Sequence, residues 1–154
     1  MKDRWLPVGV LAGVLFAINV VARLIIRFGF DGDDEMSDRI SLVMFAVIGL
    51  ILAGVAFVVG RRQPVARWSG DVAAAVLVAL VLTIFVGPFL SGNEPFSNGA
   101  GEFFVQIWLY AGFAGGGTLL GFLLVTALGL DHRSQSLKRF AEIRQAKPRR
   151  VVRR

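Results

Sequence analysis

The chain has 154 residues, 55% of them apolar, with 17 Lys/Arg against 11 Asp/Glu and no cysteine. The missing cysteines exclude disulfides, thiolate metal sites, iron–sulfur clusters and thiol redox chemistry. The net charge of +6 belongs to one segment: residues 131–154 hold nine Lys/Arg and two acids, a local +7, so everything before them carries −1.

The apolar residues, which give a mean hydropathy of +0.66, gather into four runs. No charged residue interrupts 5–22, 40–60, 72–90 or 103–130. At about 1.5 Å per residue, roughly 20 apolar residues in a helix match a hydrocarbon layer of about 30 Å. Buried helices of soluble domains usually keep a polar stripe instead. The expected fold is therefore all-α, an integral membrane four-helix transmembrane bundle over residues 1–130 with a basic tail at 131–154.

In chain order, Lys2 and Arg4 give a cationic start, and Pro7 is acceptable in a first helical turn, where its missing N–H would have no partner. The first helix is expected at 5–28. Its apolar run is too long for a signal-peptide core and no A-x-A site follows, so it is read as a span and not as a cleaved leader. Residues 28–39 (FGFDGDDEMSDR) read as an acidic loop, with the second helix at 40–60. A basic loop containing Pro64 fills 61–70, and the third helix follows at 71–89, ending near Gly87-Pro88. Residues 91–102 form a Gly/Asn/Pro loop without a cation, and the fourth helix is expected at 103–130. In the tail, a short surface helix around Leu137, Phe140 and Ala141 should end before Pro148. There is no internal repeat.

The Lys/Arg distribution sets an expected orientation. With both termini in the cytoplasm, the inner segments hold Lys2, Arg4, Arg61, Arg62, Arg67 and the nine tail cations, and the outer side holds Arg23, Arg27 and Arg39. Fourteen against three is a decided positive-inside bias. Trp5, Trp68 and Trp108 lie toward helix ends, as interfacial anchors do. Composition rich in Gly, Ala, Val and Arg suggests a bacterial plasma membrane protein.

Two constellations stand out. Asn19, Arg23 and Arg27 are spaced by four and share one stripe of the first helix. An arginine inside the hydrocarbon boundary must snorkel or pair. The ordinary reading is snorkelling to the outer headgroups beside the acidic loop. The sharper readings are an Arg23–Glu102 pair joining the first and fourth helices, or a path for a solute or ion.

The second constellation is a set of small residues four apart: Gly9/Gly13, Gly49/Ala53, Gly112/Gly116 and Gly117/Gly121. Such spacing lets helix backbones approach closely in lipid, where close packing replaces the hydrophobic drive. Packing within the bundle is the plain reading, an oligomer face or flexible gate the alternative. The glycines of the fourth helix lack the Gly-Lys-Ser/Thr ending and preceding strand of a nucleotide loop. The acidic stretch at 31–38 begins like a calcium loop, but Met36 and Leu42 stand where glycine and glutamate are required.

No metal site, cofactor or catalytic group is expected. The single histidine, His132, lies past the fourth span, and no Lys, Asp or Glu lies within a span interior. A bis-histidine haem, a Schiff-base lysine and paired carboxylates all lack their residues. The tail is expected to meet anionic lipid headgroups, and no stacking pattern or binding fold points to nucleic acid. The expected function is that of a non-enzymatic accessory or structural subunit acting through helix–helix association, within a larger membrane complex or a homo-oligomer. The alternative is a small oligomeric transporter or channel for an anion or small solute.

Overall fold

Four long apolar helices cross one another in the computed structural model, which describes residues 2–30, 34–91 and 99–146. They are α1 (Lys2–Gly29), α2 (Asp34–Arg62), α3 (Val65–Phe85) and α5 (Ala100–Ala127). A five-residue α4 (Gly87–Ser91) and the tail helix α6 (His132–Ala146) complete the order. The described residues contain no strand. Each of α1, α2, α3 and α5 carries a stretch long and apolar enough to cross a membrane, so the chain is a multi-pass, all-α membrane bundle.

Helix boundaries depart from the sequence expectation where local chemistry favours the helix. Asp34 to Arg39 is the start of α2 and not a loop. Acids in a first turn complement the helix dipole, and Glu35 accepts from Arg39 Nη2 at 2.6 Å in an i,i+4 pair. The basic loop expected at 61–70 shrinks to Gln63 and Pro64. Proline disfavours helical backbone in the residue before it, which ends α2. Pro64 itself, at φ −65° and ψ 145°, caps α3, which begins six residues earlier than expected. At the other end of α3, Pro88 has no N–H to continue the ladder, and the helix breaks at Val86 before α4.

The expected fourth helix stops at Ala127, not 130, because Gly129 adopts φ +61°. Gly129 N–H donates to Thr126 O at 2.9 Å and Leu130 N–H to Val125 O at 3.0 Å. These two bonds form a Schellman closure, which favours glycine at its left-handed position. Asp131 then caps α6, its Oδ2 accepting from Ser134 N–H at 3.2 Å. The Ser134 hydroxyl, seconded by this backbone bond, holds the Asp131 carboxyl below the usual carboxylate range. The tail helix α6 includes Leu137, Phe140 and Ala141, as expected, and is described from His132 to Ala146. The last eight residues of the basic tail lie outside the described residues.

Around the bundle the order is α1–α2–α5–α3. The closest pair is α2 with α5, followed by α1 with α3, while α2 and α3 barely touch despite their two-residue connection. Residues Gly49, Ala53 and Gly60 of α2 face Gly117, Gly121 and Val125 of α5 in the same chain order, so these two helices run parallel. Leu15, Ile48, Leu52, Tyr110 and Val125 are the largest fully buried apolar or aromatic side chains. Phe45 stacks on Phe113 at 6.1 Å and meets Tyr110 edge-on at 6.4 Å. Trp68, expected at the interface, is instead 4% exposed and packs near Phe122 at 6.4 Å. Trp5 and Trp108 are largely exposed.

Candidate functional site

The bundle has two ends of different character. The starts of α2 and α5 define an acidic end, marked by Glu35, Asp38 and Glu102. Arg61, Arg62, Arg67 and α6 define a basic end. Two features lie between them: a seam of small residues and a polar cluster.

The seam joins α2 to α5. A Cβ on Gly117 would collide with the backbone of Gly49, and one on Gly121 with the backbone of Ala53. A Cβ on Gly49 would stand 2.9 Å from Phe113 O, too close for any side chain. Here Gly49, Ala53, Gly117 and Gly121 are brought together as one backbone-to-backbone contact. Gly9, Gly13, Gly112 and Gly116 are not part of it. They are exposed, and a Cβ on any of them meets nothing within 4 Å. Residues four apart share a face but successive residues do not, so the 117/121 register turns inward and the 112/116 register outward.

The polar cluster occupies the half of the bundle nearer the acidic end. Asn19 is buried and donates through Nδ2 to Met44 Sδ at 3.2 Å, linking α1 to α2. Its Oδ1 accepts from Arg23 Nε at 3.0 Å. Gly87 completes the arrangement. A Cβ there would lie 2.8 Å from Arg23 Nε and 3.1 Å from Asn19 Oδ1, so glycine is what lets the arginine side chain lie against α4. One helical turn before Gly87, the Thr83 hydroxyl is fully buried, and so is Tyr110 on α5. Neither oxygen has a hydrogen-bond partner among the described residues. Asn19, Met44 and Tyr110 each stand ten residues from the acidic-end terminus of their helix, a depth of about 15 Å along the axis.

Arg23 and Glu102 are not brought together. Arg23 is half-buried between α1 and α4, whereas Glu102 is exposed in the first turn of α5. The helix α1 packs on α2, α3 and α4, and α5 packs mainly on α2, so the two residues occupy different flanks. Gln106, one turn further along α5 than Glu102, is half-buried. Arg27 lies near the Phe28 ring at 5.9 Å, a weak contact. Among the described residues no group of three or more His, Cys, Asp or Glu could hold a metal ion. Asp31 and Asp33 of the acidic stretch lie outside the described residues.

Three buried residues of this half of the bundle were not among the sequence expectations: Thr83, Tyr110 and Met44. Thr83 is the only hydroxyl within 71–89 and Tyr110 the only tyrosine in the chain, so both carried a visible signal. Met44, one apolar residue among many, carried none. Chemically the Asn19–Arg23 pair offers amide and guanidinium groups, and the Thr83 and Tyr110 hydroxyls are buried in the same half of the bundle. It can hold a helix interface together or receive an anion. No protein-family model, curated protein or solved structure matches the chain.

Proposed function

We propose that this chain is a non-enzymatic accessory or structural subunit of a larger membrane complex, working through helix–helix association in a bacterial plasma membrane with both termini in the cytoplasm. The observation that carries the reading is the groove between α3 and α5. These two helices make few contacts, leaving an open apolar furrow of about 440 Å³. Ser69 and Ala73 on one wall and Ala111 and Gly115 on the other are small enough to admit a partner helix backbone. Trp68 also lines the furrow, and its Nε1 donor is buried without a partner among the described residues. The outward-facing Gly112/Gly116 register adjoins the same wall of α5.

The test is a photo-crosslinker placed at Ala111 and, separately, at Leu50, which is 74% exposed on α2. The expected result is a discrete protein adduct from position 111 that disappears when Gly115→Leu fills the furrow. No adduct from 111, or the same adduct from 50, overturns the subunit reading.

A second reading, an oligomeric transporter or channel for an anion or small solute, draws support from the unpartnered Thr83 and Tyr110 hydroxyls in the half of the bundle that holds Arg23. Among the described residues no acid stands at mid-span: Asp71, the deepest, lies six residues from the start of α3 toward the basic end. An anion path needs no mid-membrane acid. Anion flux into liposomes that is abolished by Arg23→Met would replace the first reading with this one.

A further inference from the structure

A second cavity lies at the basic end, outside both features described above. It measures about 550 Å³ and lies between the last turn of α2 and one face of α6. Arg61 and Arg62 form one side. His132, Gln135, Arg139 and Phe140 form most of the other, and none of its lining residues is acidic.

We propose that this cleft binds an anionic phospholipid carrying two phosphates, of the diphosphatidylglycerol type. Three guanidinium groups face a space that no carboxylate neutralises, and planar guanidinium forks match phosphate oxygens bidentately. The cations come from two helices: Arg61 and Arg62 end α2, while Arg139 stands seven residues beyond the start of α6, about 10 Å along its axis. Two phosphates give each side of the cleft its own partner.

The lining also changes character along that face. His132, Gln135, Ser136 and Arg139 come first, and Phe140 and Ile143 follow, both more than half exposed. A ligand suited to this cleft is anionic in one part and apolar in another. The location agrees: Arg61 and Arg62 end α2, and α6 begins a few residues after α5 ends. That is the headgroup level of a bilayer crossed by α2 and α5, where basic interhelical pockets receive such lipids.

The cleft is held in shape by specific bonds. The Schellman closure at Gly129 redirects the chain, Asp131 caps α6, and Gln135 Nε2 donates back to Leu130 O at 2.7 Å. These fix the angle at which α6 leaves α5 and keep its lined face turned toward α2. The site narrows the expectation that the tail meets anionic lipid from a diffuse charge to a defined pair of phosphates. It does not depend on the subunit reading.

Native mass spectrometry of the full chain released from detergent tests it, using diphosphatidylglycerol, phosphatidylglycerol and phosphatidylcholine as probes. Arg62→Gln/Arg139→Gln removes two cations from the cleft. Arg133→Gln/Lys138→Gln removes the same charge from α6 outside it. The wild-type chain is expected to retain diphosphatidylglycerol in preference to the other two lipids. That retention is expected to fall about tenfold in the cleft variant and to persist in the control variant. An equal fall in both variants would leave only diffuse attraction to the tail and overturn the site. Equal retention of phosphatidylglycerol would overturn the two-phosphate assignment, and retention unchanged in the cleft variant would overturn the proposal outright.

Discussion

Gly117 of α5 lies against the backbone of Gly49 of α2 so closely that position 117 has no room for a β-carbon. This contact, with Gly121 against Ala53 one turn further along, is the means by which two parallel membrane helices lie side by side. Because lipid is as apolar as the helices, direct backbone packing is what holds such a pair together. Gly117→Ala is expected to lower stability by about 1–3 kcal/mol, the usual cost of overpacking, and Gly117→Leu by more. Gly116→Ala, one residue away on the outward face, is expected to leave it unchanged. Unfolding in mixed detergent checks this, and equal losses at 116 and 117 would show that the register is wrong.

A double-mutant cycle addresses Arg23. Combining Arg23→Met with Asn19→Ala is expected to show a coupling of about 0.5–1.5 kcal/mol, as for a hydrogen bond. Combining Arg23→Met with Glu102→Gln is expected to show none. Clear coupling to Glu102 would contradict the packing of α1 against α4.

The Asp131 cap gives a pH dependence with a definite sign. Its folded-state carboxyl titrates below the ordinary carboxylate range because Ser134 hydrogen-bonds the ionised form. A depressed group stabilises the fold above its unfolded value, and that stabilisation fades as pH falls through the folded value. Amide exchange in the first turn of α6 should therefore accelerate on acidification below the usual carboxylate range. Asp131→Asn, which still caps but does not ionise, should remove most of that dependence. An identical pH profile in the variant would detach the effect from Asp131.

Orientation is open to direct labelling, since the chain has no cysteine to mask. Single cysteines at Asp38 and Glu142, both exposed, report the acidic and basic ends. In intact cells an impermeant thiol reagent is expected to reach residue 38 and not residue 142. The opposite pattern would invert the topology.

Much of this architecture was legible in the chain because it follows from simple counting. Uncharged runs of bilayer length gave four spans, and residues four apart named Gly49, Ala53, Gly117 and Gly121 as packing positions. The same spacing argument named Gly112 and Gly116 equally. Nothing in one sequence separates a register that faces a neighbouring helix from one that faces away. A run of acids suggests a loop at Asp34–Arg39, yet the same charges suit a helix start, and only the structure separates the two. The Arg23–Glu102 pair failed for a topological reason. Complementary charge is readable from sequence, but which helices are neighbours is not, and α1 lies beside α3 and α4. Gly87 was read only as a helix terminator, although its lack of a side chain is what admits Arg23.

The parallel course of α2 and α5 bears on how the chain is made. Two helices pointing the same way through a membrane cannot be joined by a short hairpin, so α3 must first carry the chain back across. The ribosome therefore delivers the second half of the closest contact last. While α1, α2 and α3 are already inserted, the Gly49–Ala53 face of α2 waits uncovered in the lipid. A nascent chain halted before residue 117 would retain three spans yet lack the partner that closes its principal interface. Closure of the bundle thus waits on the synthesis of α5, and a chain that lacks it leaves bare a glycine face that the closed bundle conceals.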